Sequence, residues 1–274
     1  MCTAQASRAS QAERGNELKI LVVNNQKGGV GKSAIACQFA LYLHLKCGFK
    51  VLVIDLDHQG NTTEALSQSP HVLVAKDPSP KLFSDRVEIP CEPLLLIPAD
   101  RELLTLESQP QSHETFLNNF VENLREQQLD YDYVVVDTGP NPDIRPMSAL
   151  IAADAVLAPI QLNQEAIDGL SQLQADIERV RPLNPTVKLL GVLPNLVQNL
   201  PFQKENLKAV YEHFPHLFMR LADGTPARLF MRQAIAEAQA AGKAVFEIKK
   251  TQTQEVWREM QPVFDRIIVL MEGI

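Results

Sequence analysis

The chain has 274 residues, of which 45% are hydrophobic and 22% are charged, a composition typical of a soluble globular protein. Its apolar runs are shorter than the roughly 20 residues that a helix needs to cross a bilayer. The net charge of −7 argues against a nucleic-acid footprint spread over the whole surface. The four cysteines have no C-x-x-C spacing, which argues against a disulfide or metal framework and fits a reducing cytosol.

The first residues, 1–18, are rich in Ser, Ala and Gln and are predicted to form a disordered tail. After them, apolar runs alternate with helical patterns, which predicts an α/β fold with a doubly wound, mostly parallel sheet and helices on both faces. No Gly/Ser linker interrupts residues 19–274, so we expect a single domain. The predicted strands are 19–24, 50–55, 94–98, 133–137, 155–159 and 187–193. The predicted helices are 32–45, 114–127, 164–181, 204–213, 226 to about 241, and 252–271.

The first predicted strand leads into a glycine-rich turn, QKGGVG, and then into a helix that begins KSAIA. This is the context of a phosphate-binding loop, in which glycines let backbone N–H groups converge on phosphate oxygens. Lys32 would reach the β- and γ-phosphates, and the Ser33 hydroxyl would bind Mg²⁺. A standard loop has a glycine where this chain has Gln26, and a second lysine follows. The predicted nucleotide-binding residues are Lys27, Gly28, Gly29, Val30, Gly31, Lys32, Ser33 and Ala34.

Two further strands end in carboxylates. VLVIDLD places Asp55 at a strand end and Asp57 two residues later, and YVVVD places Asp137 at the end of another strand. Ligands of doubly wound sheets bind beyond the carboxyl ends of the strands, so the three side chains are expected to gather near the phosphates. Because like charges repel, a metal cation or bound water is expected to organise them.

The segments KGGVGKS, VIDLDHQGN and VVVDTGP together resemble the deviant Walker ATPases of the ParA/MinD family. The wording IDLDHQGN, with ADAVLAPIQLNQEAIDGLSQL after the third segment, is most similar to the ParA-type DNA-partition ATPases. The resemblance implies a P-loop ATPase that uses ATP and Mg²⁺ and forms an ATP-dependent homodimer. It extends from about residue 18 to the C-terminus and is most specific up to residue 170.

The resemblance also implies individual roles. Lys27 is the signature lysine, which reaches across the dimer to the partner's phosphates, while Lys32 acts within its own subunit. Asp57 aligns with the carboxylate that orients the attacking water, so Lys27, Lys32 and Asp57 are the expected catalytic residues. Ser33, Asp55 and Asp137 are expected at the metal. Asn195 follows a strand at a position where related ATPases often place an adenine-reading asparagine.

The chain departs from the family pattern at three points. It reads DTGPNPD where ParA proteins commonly have DTPP. An arginine often follows the strand that ends near Leu193, but the segment NLVQNLP in this chain has none. Lys204 and Lys208, on the next predicted helix, are candidates to replace it. The 18-residue tail is too short for the helix-turn-helix domain of larger ParA proteins, so we expect a short form that does not repress its own operator.

The leading hypothesis is a cytoplasmic, nucleoid-associated partition ATPase. Its ATP-bound dimer would bind nonspecific double-stranded DNA and be released when a ParB-type centromere-binding partner stimulates hydrolysis. The alternative is a membrane- or cargo-positioning ATPase of the MinD-like branch. The last predicted helix is amphipathic but carries two Arg against four acidic residues, so stable binding to anionic membranes is not expected. The candidate DNA contacts are Arg228, Arg232, Lys243, Lys249 and Lys250. Arg220 is a further basic residue of the same region and a candidate for phosphate contact.

Overall fold

The computed structural model describes residues 17–163 and 166–274, so the predicted tail lies almost entirely outside the described residues. The strands are β1 (Lys19–Val23), β2 (Val51–Asp55), β3 (Leu73–Val74), β4 (Leu94–Ile97), β5 (Tyr133–Asp137), β6 (Ala155–Gln161) and β7 (Lys188–Asn195). They form one parallel sheet in the order β3–β4–β2–β5–β1–β6–β7. The predicted fold class is confirmed, and all six predicted strands are present.

Helices cover both faces of this sheet. They are α1 (Lys32–Leu45), α2 (Asn61–Ser67), α3 (Lys81–Ser84), α4 (Leu103–Glu107), α5 (His113–Val121), α6 (Ile144–Ala152), α7 (Ala166–Val180), α8 (Pro201–His213), α9 (Gln233–Ala240) and α10 (Thr251–Glu272). A π turn, Glu122–Glu126, continues α5. Within the described part of the chain, no helix has both the length and the apolarity that a membrane crossing requires.

The core is divided by the sheet, because successive side chains of a strand point to opposite faces. On one face, Leu21 and Val23 of β1 pack with α1, α9 and α10. On the other face, Ile20 and Val22 pack with α3, α5 and α6. A third cluster joins β6 and β7 to α7 and α8. The continuous burial of β1, β2 and β5 explains why their sequences lack the alternation of a half-exposed strand.

The last helix, α10, packs against the body of the protein. Its Trp257 and Phe264 lie against Tyr42 of α1, with ring centroids 5.1 and 5.8 Å apart. The predicted apolar face is buried throughout, from Val256 to Ile268. Tyr42 also donates a hydrogen bond to Asp265. Thus α10 stabilises the helix that begins at the glycine-rich loop.

The predicted helix from 226 to about 241 is wrong in its first half, since the helix observed there is α9. Residues 226–232 are extended and follow the end of β7 instead. The backbone N–H of Leu229 donates to Pro194 at 2.8 Å, and that of Met231 donates to Val197 at 3.0 Å. The apolar spacing was compatible with a helix, but these hydrogen bonds come from a distant strand end, which local sequence does not reveal.

Helix α6 was not predicted, because the segment PNPDIRP resembles a loop. Asp143 is its N-cap, and its side chain accepts a hydrogen bond from the backbone N–H of Arg145. Pro146 falls in the first turn, where a missing N–H costs little because that group has no acceptor within the helix. The helices α2, α3 and α4 and the strand β3 were not predicted either, and all four are short.

Candidate active site

The glycine-rich loop joins β1 to α1, and its backbone is shaped for a ligand. Gly29 and Gly31 have φ of +73° and +88°, values that other residues rarely adopt. A Cβ placed on Gly28 or Gly29 would meet no protein atom within 4 Å, so these positions border open space. Gly31 is also the N-cap of α1, and the helix N-terminus therefore directs its partial positive charge into that space.

Lys32 occupies the first position of α1 and is 7% exposed. Its ammonium donates hydrogen bonds to the carbonyls of Asn25, at 2.8 Å, and of Lys27, at 3.0 Å. Burial lowers the pKa of Lys32, and the negative charges of Asp137 and Asp57 oppose that change. Two of its three N–H donors thus fold the loop around the ammonium, and the third can meet an anion.

A second polar residue fixes the start of the loop. The Asn25 side chain donates to the carbonyl of Pro159 at 2.7 Å and accepts from the backbone N–H of Lys27 at 2.8 Å. Gln26, which replaces the standard glycine, donates to Asp176 of α7 at 2.6 Å. The start of the loop is therefore hydrogen-bonded both to β6 and to α7, and Lys27 is the next residue in the chain.

Asp137 lies at the end of β5 and is fully buried. Its Oδ2 accepts a hydrogen bond from the Thr62 hydroxyl at 2.7 Å. Its Oδ1 has no hydrogen-bond partner among the described residues, although it is buried. Burial raises the pKa of Asp137, and the hydroxyls of Ser33 and Thr62 partly oppose this. A buried carboxylate oxygen without a donor is the atom that a hard cation would satisfy.

Asp55 and Asp57 share one end of the sheet but have different surroundings. Both oxygens of Asp55 are occupied: Oδ1 accepts from the backbone N–H of Asp57, and Oδ2 accepts from the backbone and hydroxyl of Thr63. Burial, and next the charge of Asp137, raise the pKa of Asp55. Asp57, in contrast, lines the cavity in front of the loop. Thus the structure brings Asp57 to the cavity and leaves Asp55 behind it, holding the turn.

The cavity in front of the loop has a volume of about 540 Å³. The predicted residues Gly28, Gly29, Gly31, Lys32, Ser33 and Ala34 line it together with Asp57. The other lining residues are Gln59 and Asn61, together with four that sequence reasoning missed, which are His58, Pro140, Asn141 and Gln239. His58, Pro140 and Asn141 each lie within four residues after a predicted strand-end carboxylate, and this position in the sequence could have identified them. Gln239 comes from α9 and had no such signal.

A second, apolar cavity of about 500 Å³ adjoins the first and shares Gly31, Ala34 and Gln239 with it. Asn195 lines this cavity and donates a hydrogen bond to the carbonyl of Val30 at 2.8 Å. A Cβ on Gly31 would lie 2.2 Å from the Asn195 amide nitrogen. Asn195 therefore lies beside the loop, supports its backbone and borders the apolar cavity.

The predicted basic residues lie in the C-terminal part of the chain. Arg228, Arg232, Lys243, Lys249 and Lys250 are all exposed. The guanidinium groups of Arg228 and Arg232 both lie over the Phe230 ring, each 5.1 Å from its centroid. Arg232 also forms a bidentate pair with Glu259, at 2.6 and 3.0 Å. Lys250 lies 3.5 Å from Glu237.

A glycine loop at a helix N-terminus, facing a buried lysine and a strand-end carboxylate, defines the class of P-loop nucleotide hydrolases. A family model described as an AAA domain matches residues 18–189. The chain is 31% identical to Protein IncC of Escherichia coli, over 96% of this chain and 72% of that protein. It is 34% identical to the chromosome partitioning protein ParA of Caulobacter vibrioides, over 73% of this chain and 78% of that protein.

Among solved structures, the chain is similar to an ATP complex of a McdA variant from Cyanothece, with a TM-score of 0.71 and 21% identity over 90% of this chain and 97% of that one. This likeness concerns the fold. The sequence identities to IncC and ParA are higher and cover most of the chain, so the chain belongs to the ParA family of partition ATPases.

Proposed function

We propose that this protein is an ATP-dependent DNA-partition ATPase that cycles between an ATP-bound dimer on DNA and a released form. The observation that carries the proposal is the two-lysine phosphate loop, with Lys32 buried at its centre, in a chain whose relatives are partition proteins. ATP hydrolysis is the activity of this family, and ATP and Mg²⁺ are the ligands that the site fits.

The site can hold both ligands with the residues that it contains. Lys32 and the backbone N–H groups of residues 28–33 would bind the phosphates, and the base would enter the apolar cavity beside Asn195. Ser33 and the free Oδ1 of Asp137 would hold Mg²⁺. When bound, the metal would neutralise charge on the β- and γ-phosphate oxygens. Among the described residues no three His, Cys, Asp or Glu side chains form a metal cage, which suits Mg²⁺ because it takes phosphates and waters as ligands.

Asp57 would orient the attacking water, because its carboxylate lines the cavity, whereas the carboxylate of Asp55 accepts hydrogen bonds from Thr63. Asp55 would support this role from behind by fixing the backbone N–H of Asp57. Lys27 would act on the partner subunit. It is partly exposed and directly follows the anchored residues Asn25 and Gln26. A second cation is favourable at a phosphate site only when phosphate is bound.

The basic C-terminal residues would bind DNA by contacts to phosphates, which carry no sequence information. This segment is linked to the nucleotide site through α1. Gln38 of α1 donates to the carbonyl of Lys243 at 2.9 Å and accepts from the backbone N–H of Val245 at 2.8 Å. A dimer would present two such surfaces and so double the charge that a duplex meets. Nucleoid association in the cytoplasm follows from this proposal, with a ParB-type protein as the partner that stimulates release.

The MinD-like alternative is less well supported, because the apolar face of α10 is buried against α1. A membrane-binding helix would need that face for lipid.

The experiment is to measure binding of the full chain to a random-sequence duplex by fluorescence anisotropy, with Mg²⁺ and either a non-hydrolysable ATP analogue or ADP. We expect binding with the analogue and little with ADP, and a steep loss of affinity with salt. Anionic vesicles under the same conditions serve as the comparison. ATP-dependent binding to vesicles without binding to DNA would overturn the proposal and favour the membrane branch.

A further inference from the structure

The first turn of α6 contains a buried charge that the site described above does not use. The side chain of Arg145 is 3% exposed and pairs with that of Asp143, which is 8% exposed. Its Nε donates to Asp143 Oδ1 at 2.9 Å, and its Nη2 donates to Oδ2. A buried guanidinium is tolerated only when it is paired and hydrogen-bonded, and this bidentate pair meets that condition.

The remaining nitrogen of Arg145 reaches the turn that carries Asp57. Nη1 lies 3.4 Å from the carbonyl oxygen of Leu56 and 3.5 Å from Nδ1 of His58. Leu56 and His58 are the two neighbours of Asp57 in the chain. One rigid, planar group thus connects the N-terminus of α6 to both sides of the cavity carboxylate.

A second observation concerns Gly139, which occupies the position where ParA proteins commonly have the first proline of DTPP. A Cβ at this position would lie 3.4 Å from Oδ1 of Asp57. The loop after β5 therefore passes Asp57 at van der Waals distance.

Filling the space under the turn does not by itself require an arginine. Replacing a buried ion pair with apolar residues of similar volume is often neutral or stabilising. The capping of α6 depends on the Asp143 side chain and on the backbone of Arg145, so it does not need the guanidinium. The guanidinium adds a fixed orientation, because it contacts three groups at once, which are the carboxylate of Asp143, the carbonyl of Leu56 and the ring of His58.

We propose that Arg145 is a positioning residue for ATP hydrolysis, which holds residues 56–58 against α6 so that Asp57 faces the phosphates. This inference rests on the proposed role of Asp57.

The test compares Arg145→Met, Arg145→Lys and the double variant Arg145→Met with Asp143→Asn, which removes both charges and keeps a helix-capping side chain. Arg125→Met is the matched control. Arg125 also pairs with an aspartate, Asp154, at 2.7 Å and with the carbonyl of Ala152, but at the far end of α6. For each protein, one measures the affinity for ATP–Mg²⁺, the single-turnover rate of the bound ATP, and the melting temperature.

We expect Arg145→Met to slow hydrolysis by about 10- to 100-fold, because a misplacement of about 1 Å can cost about 100-fold. Affinity should stay within about threefold of wild type, since Arg145 does not line the phosphate cavity. Arg145→Lys should be intermediate, because an ammonium keeps the charge but cannot span three partners. The double variant should recover the melting temperature and not the rate, and Arg125→Met should keep the rate.

Recovery of both stability and rate in the double variant would overturn the inference, because Arg145 would then only balance a buried charge. If Arg145→Met does not fold, the double variant and Arg145→Lys decide the question, and a wild-type rate in either would have the same consequence. Failure of the wild-type protein itself to hydrolyse ATP would instead count against the proposed ATPase site.

Discussion

The phosphate loop and the basic C-terminal segment differ in how their side chains are placed. In the loop, backbone geometry and a helix N-terminus set the positions, and Lys32 is held by carbonyls only a few residues away. In the basic segment, long exposed side chains depend on distant neighbours, as Arg232 does on Glu259. A sequence motif therefore predicts a site reliably where its own backbone forms that site, and less reliably where its side chains depend on partners from distant segments.

The largest effect is expected from Asp57→Ala, which tests the loop side of this comparison. Loss of a water-orienting group should lower the hydrolysis rate by about 10²- to 10⁴-fold, while ATP binding and dimerisation persist. Turnover with and without the partner measures this. The exposed Asp85, changed to Ala, is the control, and partner-stimulated turnover at the wild-type level in Asp57→Ala would assign the role to another group.

Lys32→Ala should remove most of the affinity for ATP–Mg²⁺. Truncating one member of a buried charged contact costs roughly 2–5 kcal/mol, which corresponds to more than about 30-fold in affinity. Calorimetric titration measures it, with Lys81→Ala, an exposed lysine paired with Asp85, as the control. Affinity within about threefold of wild type would contradict the assignment of the loop.

Lys27→Ala should separate binding from assembly. Because Lys27 is proposed to reach the partner's phosphates, this variant should retain much of its nucleotide affinity and lose the ATP-dependent dimer. Light scattering with a non-hydrolysable analogue reports the dimer. Lys188→Ala, at the opposite end of the sheet, is the control, and a normal dimer in Lys27→Ala would refute action across the interface.

The smallest effects are expected in the basic segment, where exposed side chains are paired with distant residues. Each phosphate contact contributes about −0.9 to the slope of log K against log salt, so Arg228→Ala should reduce the steepness by about that amount. Arg232→Ala should have a weaker effect, because Glu259 already neutralises this guanidinium. Glu259→Gln should strengthen DNA binding a few-fold, by roughly the worth of one exposed ion pair.

Anisotropy titrations at several salt concentrations measure these changes, with Arg181→Ala as the control, since Arg181 is exposed and paired with Glu178. Equal losses for Arg228→Ala and Arg232→Ala would show that the ion pair opens on DNA without a measurable cost. An unchanged slope in both variants would move the footprint to Lys243 and Lys249.

The sequence predicts every strand of the described sheet except β3, whose two residues are exposed, because continuous burial selects apolar runs that are visible without a structure. It also determined the glycine loop and the gathering of Asp57 and Asp137 at one edge. In a parallel sheet the strands end on the same side, so a carboxylate after each strand must lie there. The helix after the loop was predicted with its observed bounds for the same reason, since its spacing and its start are local.

The separate roles of these groups depend on contacts made in the folded protein. Asp55 and Asp57 are two residues apart and chemically alike, and both are buried. They differ in their surroundings, because the Asp55 carboxylate accepts hydrogen bonds from Thr63 and from the backbone of Asp57, whereas Asp57 lines the cavity. The extended path of residues 226–232, the ion pair of Arg232 and the contact of Arg145 with residues 56–58 all join segments far apart in the chain. Such contacts are set by packing and hydrogen bonding in the folded state, which a local pattern of residues does not encode.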